Sequence, residues 1–448
     1  METQKYPIGI QTFSKIIEGG FTYVDKTGIL ASLVKTDGYY FLSRPRRFGK
    51  SLLLSTLHAY FEGRRDLFKG LALDSADVDW EPTPVLHFDF NSEDFTQMDG
   101  LNHLLDSYLS YHEKIYRVNQ KVGSPVQRFQ NLIRSAYEKT QRKVVILIDE
   151  YDKPLLGIED KPEIFEKNQS LLKGFFGNLK SMDQFIRFAF ITGVARFNKV
   201  SIFSDLNNLN DISMTDRFAD ICGWTEEEMC NTFMPGIEEL ANKRKESVEK
   251  TVDALRGYYD GYRFTSEGSR LYNPFSVLNA LFALRIRPYW FATGTPTFLV
   301  KRIKSNNMLL SSLNHQWCRE TELLEVGLAS RNPVPLLFQT GYLTIRNYDD
   351  ETGRYELGFP NYEVEHGFNH HLLRAYLPQA EEPDSPFRMD LFQMDLVEGR
   401  PEDFMDRLAT MLKDIPYESH NEKTYQNLAY LLCRLSGTEA GLEHHSYL

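Results

Sequence analysis

Four continuous apolar runs, separated by stretches with helical spacing, mark the first half of the chain. They lie at residues 39–43, 85–90, 144–148 and 185–191. Continuous rather than alternating runs are typical of strands that are buried on both faces of a parallel sheet. Directly after the first run, residues 50–61 space their apolar side chains as a helix does. The pattern predicts a three-layer α/β domain with a parallel sheet, ending near Gly223.

The second half of the chain reads mainly as helices around one predicted hairpin. Thr225 precedes three glutamates, which is the pattern of a helix N-cap with acids in the first turn. Residues 335–345 and 355–359 flank a polar turn, as in a β-hairpin. With the helices around it, this hairpin predicts a winged-helix-like subdomain. Because the hairpin is acidic rather than basic, we favour a lid or protein-contact role over DNA binding.

Length and composition set the broad class. A chain of 448 residues predicts two or three domains, which we place at 1–223, 224–380 and 381–448. The net charge of -11 gives no support to nucleic-acid binding. The four cysteines form no CxxC pair, which favours reduced thiols over disulfides or a zinc site. The N-terminus does not resemble a secretion signal, and no apolar run approaches the ~18 residues of a membrane span. We therefore expect a cytoplasmic protein with no membrane contact.

The turn after the first predicted strand carries candidate phosphate-binding residues. Gly49, Lys50 and Ser51 match the second half of the pattern G-x-x-x-x-G-K-[ST]. In that loop, backbone N–H groups wrap phosphates at a helix N-terminus, the lysine reaches the phosphates, and the hydroxyl binds Mg²⁺. Arg44 stands where the first glycine belongs, so an ordinary basic loop is the alternative. The predicted ATP-binding residues are Arg44, Pro45, Arg46, Arg47, Phe48, Gly49, Lys50, Ser51 and Leu52.

The third predicted strand ends in two carboxylates, Asp149 and Glu150. Paired acids at the end of a buried strand need a partner, because an unpaired buried carboxylate is costly. In P-loop ATPases we expect this strand beside the P-loop strand, with one acid on Mg²⁺ and the other polarising the attacking water. The sequence therefore predicts Ser51 and Asp149 as Mg²⁺ ligands and Glu150 as the catalytic base. Asp152 either joins this acidic cluster or faces solvent.

Thr192 and Arg196 follow the fourth predicted strand. A polar residue at a strand tip can sense the γ-phosphate, and an arginine can stabilise developing negative charge, so both are catalytic candidates. The alternative is a strand-capping hydroxyl and a surface-paired arginine. For the arginines at positions 44, 46 and 47, three kinds of partner are open: the nucleotide, a neighbouring subunit's nucleotide, or only nearby acidic side chains.

Taken together, RPRRFGKSL, LIDEYDKPL and ITGVARFNKVSIFSDLNNLNDIS resemble the bacterial AAA-ATPase-like family. The opening PIGIQTFSKIIEGGFTYVDKTGIL and the later YYDGYRF, YNPFSVLNAL and ATGTPTFLV extend the resemblance over nearly the whole chain. Members of that family commonly carry an arginine in place of the first glycine, as this chain does at Arg44. The resemblance implies phosphate, metal and base roles for Lys50, Ser51, Asp149 and Glu150. It leaves the physiological role open.

The resemblance also implies a C-terminal PD-(D/E)XK nuclease-like domain. Residues from 386 onward read as helices that resemble the first part of such a domain, with Glu422 at the position of an acid on its first helix. These nucleases hold Mg²⁺ with an acid on one strand and Glu-x-Lys on the next. Neither strand follows before Leu448, so we expect an incomplete domain without nuclease activity.

Three functions fit this sequence. The first is Mg²⁺-dependent ATP hydrolysis that drives a conformational change in the helical region. The second is an ATP-binding switch or scaffold with little turnover, and the third, for a longer form, is an ATP-regulated nuclease. Glu150 favours the first function, because a protein that only binds ATP needs no water-polarising acid. A protein partner or self-association is left open.

Overall fold

The computed structural model describes residues 4–118, 123–158, 160–196, 202–203, 206–293, 297–324, 332–377, 388–413 and 422–445. Strands within these ranges are β1 Gly38–Ser43, β2 Val85–Asp89, β3 Val144–Asp149, β4 Ile186–Gly193, β5 Leu209–Asp211, β6 Gln316–Arg319, β7 Thr344–Asp349 and β8 Arg354–Gly358. The α-helices are α1 Phe13–Glu18, α2 Thr27–Val34, α3 Lys50–Phe61, α4 Gly100–Ile115, α5 Pro125–Thr140, α6 Pro162–Ser181, α7 Glu226–Arg244, α8 Val248–Tyr259, α9 Pro274–Ala283, α10 Thr297–Ser305, α11 Glu320–Leu324, α12 Val334–Gln339, α13 Tyr362–Tyr376, α14 Met389–Val397, α15 Pro401–Lys413 and α16 Glu422–His445.

A parallel five-stranded sheet organises the first half of the molecule. Its strand order is β2-β3-β4-β1-β5. Every residue of β3 and nearly every residue of β4 is buried, so both faces of the sheet centre are covered. The prediction of an α/β fold with a buried parallel sheet is confirmed. The four predicted strands are β1 to β4, with ends that differ by at most two residues, and the predicted helix is α3.

The position of the acid-bearing strand differs from the expectation. We expect β3 beside the P-loop strand β1, but β4 lies between them and pairs with both. The expectation is wrong, because the apolar pattern of a strand does not specify its neighbours. Two strand spacings, about 10 Å, therefore separate the tips of β1 and β3, and the tip of β4 lies between them.

The predicted hairpin is partly confirmed. β7 and β8 are antiparallel neighbours, and β6, which the sequence pattern did not reveal, pairs with the other side of β8. The prediction of a strand at residues 335–339 is wrong, since these residues belong to helix α12. Their continuous apolar run fits a short buried helix as well as a strand, and Pro335 in the first helical turn favours the helix.

The helical predictions for the rest of the chain are confirmed within the described ranges, and residues 386–387, 414–421 and 446–448 of the predicted C-terminal segment lie outside them. α7 begins after Thr225, which forms a capping box with Glu228. The C-terminal segment forms α14, α15 and α16, the last of which begins at Glu422. Asn427 of α16 donates to the Met308 carbonyl and accepts from the Leu310 amide, so α16 is tied to the preceding region. The winged-helix-like and nuclease-like assignments and the three domain boundaries stay predictions.

Across the ranges given above, no helix has both the length and the apolar character needed to cross a membrane.

Candidate functional site

A cavity of about 420 Å³ lies at the carboxyl ends of the parallel strands. Residues 46–53, at the end of β1 and the start of α3, form one wall. Asn91, Glu150 and Lys153, which follow β2 and β3, line the cavity as well. The rest of the lining comes mainly from the N-terminal segment (residues 7–30) and the start of α9. This volume and this mixture of polar and apolar walls suit a ligand of nucleotide size.

The backbone of the P-loop (residues 44–52) takes a left-handed conformation at Arg47 and Gly49, with φ of 71° and 96°. Glycine adopts this conformation without a steric penalty, and Gly49 is the N-cap of α3. Arg44 is not among the residues with positive φ. The first glycine of the usual pattern is therefore not required by the backbone conformation at position 44.

Lys50 lies inside the loop that it belongs to. Its ammonium donates to the carbonyls of Arg44 at 2.9 Å and Pro45 at 3.1 Å. An ammonium group has three N–H donors, so one donor remains for a ligand in the cavity that Lys50 lines. Ser51 lines the same cavity from the first turn of α3, where a helix N-terminus favours anions.

The side chain of Arg44 is directed away from the cavity. Its guanidinium is 1% exposed and stacks over the Phe264 ring at 4.2 Å. It donates to four backbone carbonyls, those of Ser43, Ser213, Phe218 and Ala219. Burial lowers the pKa of Arg44 to about 10, so the side chain stays charged at neutral pH. The Arg44 side chain therefore supports the loop. It contacts backbone carbonyls and an aromatic ring, rather than the cavity or the acidic side chains considered from the sequence.

Residues from the second half of the chain hold the other side of the P-loop. The Trp290 indole N–H donates to the Arg46 carbonyl at 3.3 Å, and the Arg47 guanidinium lies 4.3 Å from the centre of the Phe275 ring. Gly341, with φ of 87°, packs so closely that an added Cβ would lie 2.6 Å from the Pro45 Cβ. The loop geometry therefore depends on residues more than 200 positions away.

Asp149 and Glu150 point in different directions. Asp149 is buried, and its carboxylate accepts a hydrogen bond of 2.5 Å from the Thr192 hydroxyl at the tip of β4. Glu150 has a φ of 50°, which is strained for a residue other than glycine, and it lines the cavity. Strain of this kind is common where a side chain must be aimed at a ligand.

Asp152 neither faces solvent nor points into the cavity. It is 1% exposed and accepts from the amides of Val194 at 3.0 Å and Ala195 at 2.6 Å. The neighbouring Tyr151 hydroxyl donates to the Ala195 carbonyl at 2.9 Å. These two side chains fix the segment that follows β4. Burial raises the pKa of Asp152 to about 6, although the Ala195 amide opposes this shift.

Arg196 has partners outside the cavity. Its guanidinium forms an ion pair with Asp211 of β5 at 2.6 Å, and its backbone amide donates to the Gln339 side chain. The structure thus brings Lys50, Ser51 and Glu150 to one cavity and places Thr192 against Asp149. It places the side chains of Arg44 and Arg196 elsewhere.

Three polar residues near the cavity are absent from the sequence-based candidates: Asp89, Asn91 and Lys153. Asp89 pairs in register with Asp149 on the neighbouring strand. Burial, together with the charges of Asp149 and Glu150, raises the pKa of Asp89. The signal that identifies Asp149, an acid at the end of an apolar run, is also present at Asp89. No such local signal marks Asn91 or Lys153.

Comparison with known proteins bears on this site. A family model described as a predicted AAA-ATPase matches residues 7–203, which include the P-loop and the acids at the tip of β3. A protein of Azotobacter chroococcum mcd 1, described as an uncharacterized protein in the vnfD 5' region, is 38% identical over 383 residues. That similarity covers 85% of this chain and 72% of the relative.

The contact between Gly341 and Pro45 yields a prediction about the loop. Gly341→Ala adds a Cβ against Pro45, whereas Gly353→Ala adds one at a similar positive φ with open space around it. In both variants the positive φ should lower the free energy of unfolding by about 1–2 kcal/mol, because alanine is strained in this conformation. In Gly341→Ala we expect the clash with Pro45 to lower it by about 1–3 kcal/mol more and to weaken ATP binding. Denaturant unfolding and calorimetric titration measure both effects, and equal losses in the two variants would contradict this account.

The buried Asp152 predicts a pH dependence of stability. Its pKa is about 6 in the folded protein against an ordinary value of 3.8, so the folded state holds this proton more tightly. The resulting stabilisation is complete below pH 3.8 and is lost as the pH rises through about 6. The stability of the wild type relative to Asp152→Asn should therefore fall by about 1.4 kcal/mol per pH unit within that window. Unfolding free energies at several pH values test this, and a constant or rising difference would refute it.

Proposed function

The chain belongs to the predicted AAA-ATPase family, and from this membership we propose that it binds ATP in the cavity at the P-loop and hydrolyses it with Mg²⁺. One observation carries the proposal: Lys50 and Ser51 on one side and Glu150 on the other line a single cavity. Phosphate-binding groups and a water-polarising acid therefore face the same space.

The P-loop provides the phosphate site in this proposal. The backbone N–H groups around Gly49 lie at the N-terminus of a 12-residue helix, where the helix dipole favours anions. The Lys50 ammonium adds a positive charge, and its third N–H group can donate a hydrogen bond to a phosphate oxygen. The apolar parts of the cavity, which include Val24 and Phe275, suit the nucleoside.

The proposed Mg²⁺ ligands are Ser51, which lines the cavity, and Asp149, which does not line it but directly precedes Glu150, which does. The buried Asp149 carboxylate accepts from Thr192, and no ion pair to Asp149 is present in the described part of the chain. Those ranges also hold no group of three or more His, Cys, Asp or Glu side chains that could form a metal site. Mg²⁺ typically takes one or two protein oxygens and fills the other positions with phosphates and water. When bound, it would neutralise charge on the phosphates.

Glu150 is suited to the role of general base. Its side chain is 17% exposed and lines the cavity, so its carboxylate can contact a water molecule there. The water oxygen forms a bond to the γ-phosphorus, the bond from that phosphorus to the bridging oxygen breaks, and the water proton passes to the Glu150 carboxylate. Thr192 holds Asp149 in place, while Arg196, paired with Asp211, takes no direct part.

The contacts of the P-loop support coupling to the helical region. Arg46, Arg47 and Pro45 contact Trp290, Phe275 and Gly341, respectively. A change in loop conformation on nucleotide binding would alter these contacts. We therefore include a conformational response of the later helices in the proposed function.

Removal of the Lys50 ammonium tests nucleotide binding. We expect Lys50→Ala to weaken binding of Mg²⁺-ATP by about 100-fold or more, because the phosphates lose a charge-assisted hydrogen bond in a partly buried site. Calorimetric titration of wild type and variant measures the change. Binding of similar strength in both proteins would exclude a phosphate site at this loop.

The Glu150 carboxylate separates hydrolysis from binding. Glu150→Gln should bind ATP about as well as the wild type and release phosphate about 10²–10⁴-fold more slowly, because the amide cannot accept the proton. Steady-state phosphate release and ATP titration give the two quantities. If wild type and variant bind ATP but are equally inactive, the protein is an ATP-binding switch rather than an ATPase.

A further inference from the structure

Five lysines and arginines are found among the described residues that line the cavity. Lys26, Arg46, Arg47 and Lys50 belong to the N-terminal segment and the P-loop, and Lys153 alone follows β3. The acid-bearing side of the cavity therefore has a cation of its own, three residues beyond Glu150.

Three of the four cations in the other group are engaged by other residues of the protein, and the fourth, Arg46, belongs to the P-loop. Lys26 forms an ion pair of 2.6 Å with Glu228, and Arg47 stacks on Phe275. Lys50 uses two donors on carbonyls of its own loop. Arg196, the arginine that the sequence predicts for charge stabilisation, is paired with Asp211. Arg47 is near enough to Glu150 for the carboxylate charge to oppose the lowering of the Arg47 pKa by burial, whereas Lys153 forms an ion pair with Glu150.

Lys153 is held weakly and lies beside the proposed base. Its ammonium donates to the Asn91 side-chain oxygen at 2.8 Å and is 3.9 Å from a Glu150 carboxylate oxygen. The side chain is 36% exposed, so this ion pair is screened by water and contributes little stability. A phosphate group with its greater negative charge can replace both contacts at small cost.

The strand order places Lys153 at the far end of a bound phosphate chain. β3 lies two strands, about 10 Å, from β1, which leads into the P-loop. A phosphate bound by Gly49 and Lys50 would be closer to β1 than to β3. If Glu150 activates the attacking water, as proposed above, the terminal phosphate must lie on the side of the cavity that Glu150 and Lys153 line.

We propose that Lys153 binds the terminal phosphate of the nucleotide and makes the cavity select a triphosphate over a diphosphate. This inference rests on the proposed function. When the Lys153 ammonium moves onto the phosphate it leaves Asn91 and Glu150. The Glu150 carboxylate then loses its ion pair and is able to accept a hydrogen bond from the attacking water. Recognition of the third phosphate and release of the base are one event.

Calorimetric titration with Mg²⁺ and either the β,γ-imido analogue of ATP or ADP tests this assignment. The variants are Lys153→Met and Lys153→Arg, with Lys167→Met as the matched control. Lys167 is also a lysine in a single ion pair, with Asp99, and its side chain is similarly exposed, at 38%. Lys167 does not line the cavity. ADP binding reports in the same experiment that each variant is folded.

Lys153→Met should bind the triphosphate analogue about 10–100-fold more weakly, which corresponds to one hydrogen bond between charged groups, and ADP within about 2-fold of wild type. Lys153→Arg should keep most of the preference for triphosphate, and Lys167→Met should behave as wild type. Unchanged triphosphate binding in Lys153→Met, or an equal loss for ADP, would overturn the role of Lys153. If Lys50→Ala leaves both ligands unaffected, or the wild type binds neither, the proposed function itself fails and this inference with it.

Discussion

The buried guanidinium of Arg44 is the interaction on which the geometry of the site depends. A cation that is 1% exposed carries a large desolvation cost, and here four backbone carbonyls and the face of Phe264 offset it. Three of those carbonyls belong to the segment that follows β5. Arg44 thus joins the start of the P-loop to that segment. The contacts of Trp290, Phe275 and Gly341 hold the other side of the loop, which contains the left-handed residues 47 and 49.

The edge of the sheet that carries the acids is the second constraint. Parallel strands bring their carboxyl ends to one edge, so Asp89, Asp149 and Glu150 approach one another, and their repulsion contributes to the raised pKa of Asp89. Thr192 donates to one of these acids and Lys153 lies near another. In the proposed function a magnesium ion would offset the negative charge of these acids, whereas Lys50 and Lys153 would offset that of the phosphates.

The segment at the end of β3 shows how residues of one motif can serve different purposes. In LIDEYDKPL, the proposed function assigns Asp149 to the metal and Glu150 to the water, whereas Tyr151 and Asp152 fix the backbone of residues 194–195. Lys153 returns to the cavity. The sharp turn at Glu150, with its positive φ, is what sends these consecutive side chains in different directions.

The sequence by itself determined the parallel strands β1 to β4, helix α3 and the candidate residues Lys50, Ser51, Asp149 and Glu150, because periodicity, caps and loop motifs act over a few neighbouring residues. Only the tertiary structure decided that β4 separates β1 from β3, that residues 335–339 are helical, that the side chain of Arg44 points inward and that Arg196 pairs with Asp211. Each of these features depends on partners that are distant in the chain. The local sequence of a strand does not specify which strand pairs with it, and the sequence around an arginine does not specify which carbonyls or acids surround its guanidinium. Lys153 follows the same rule, since only the folded sheet places it next to Asn91 and the cavity.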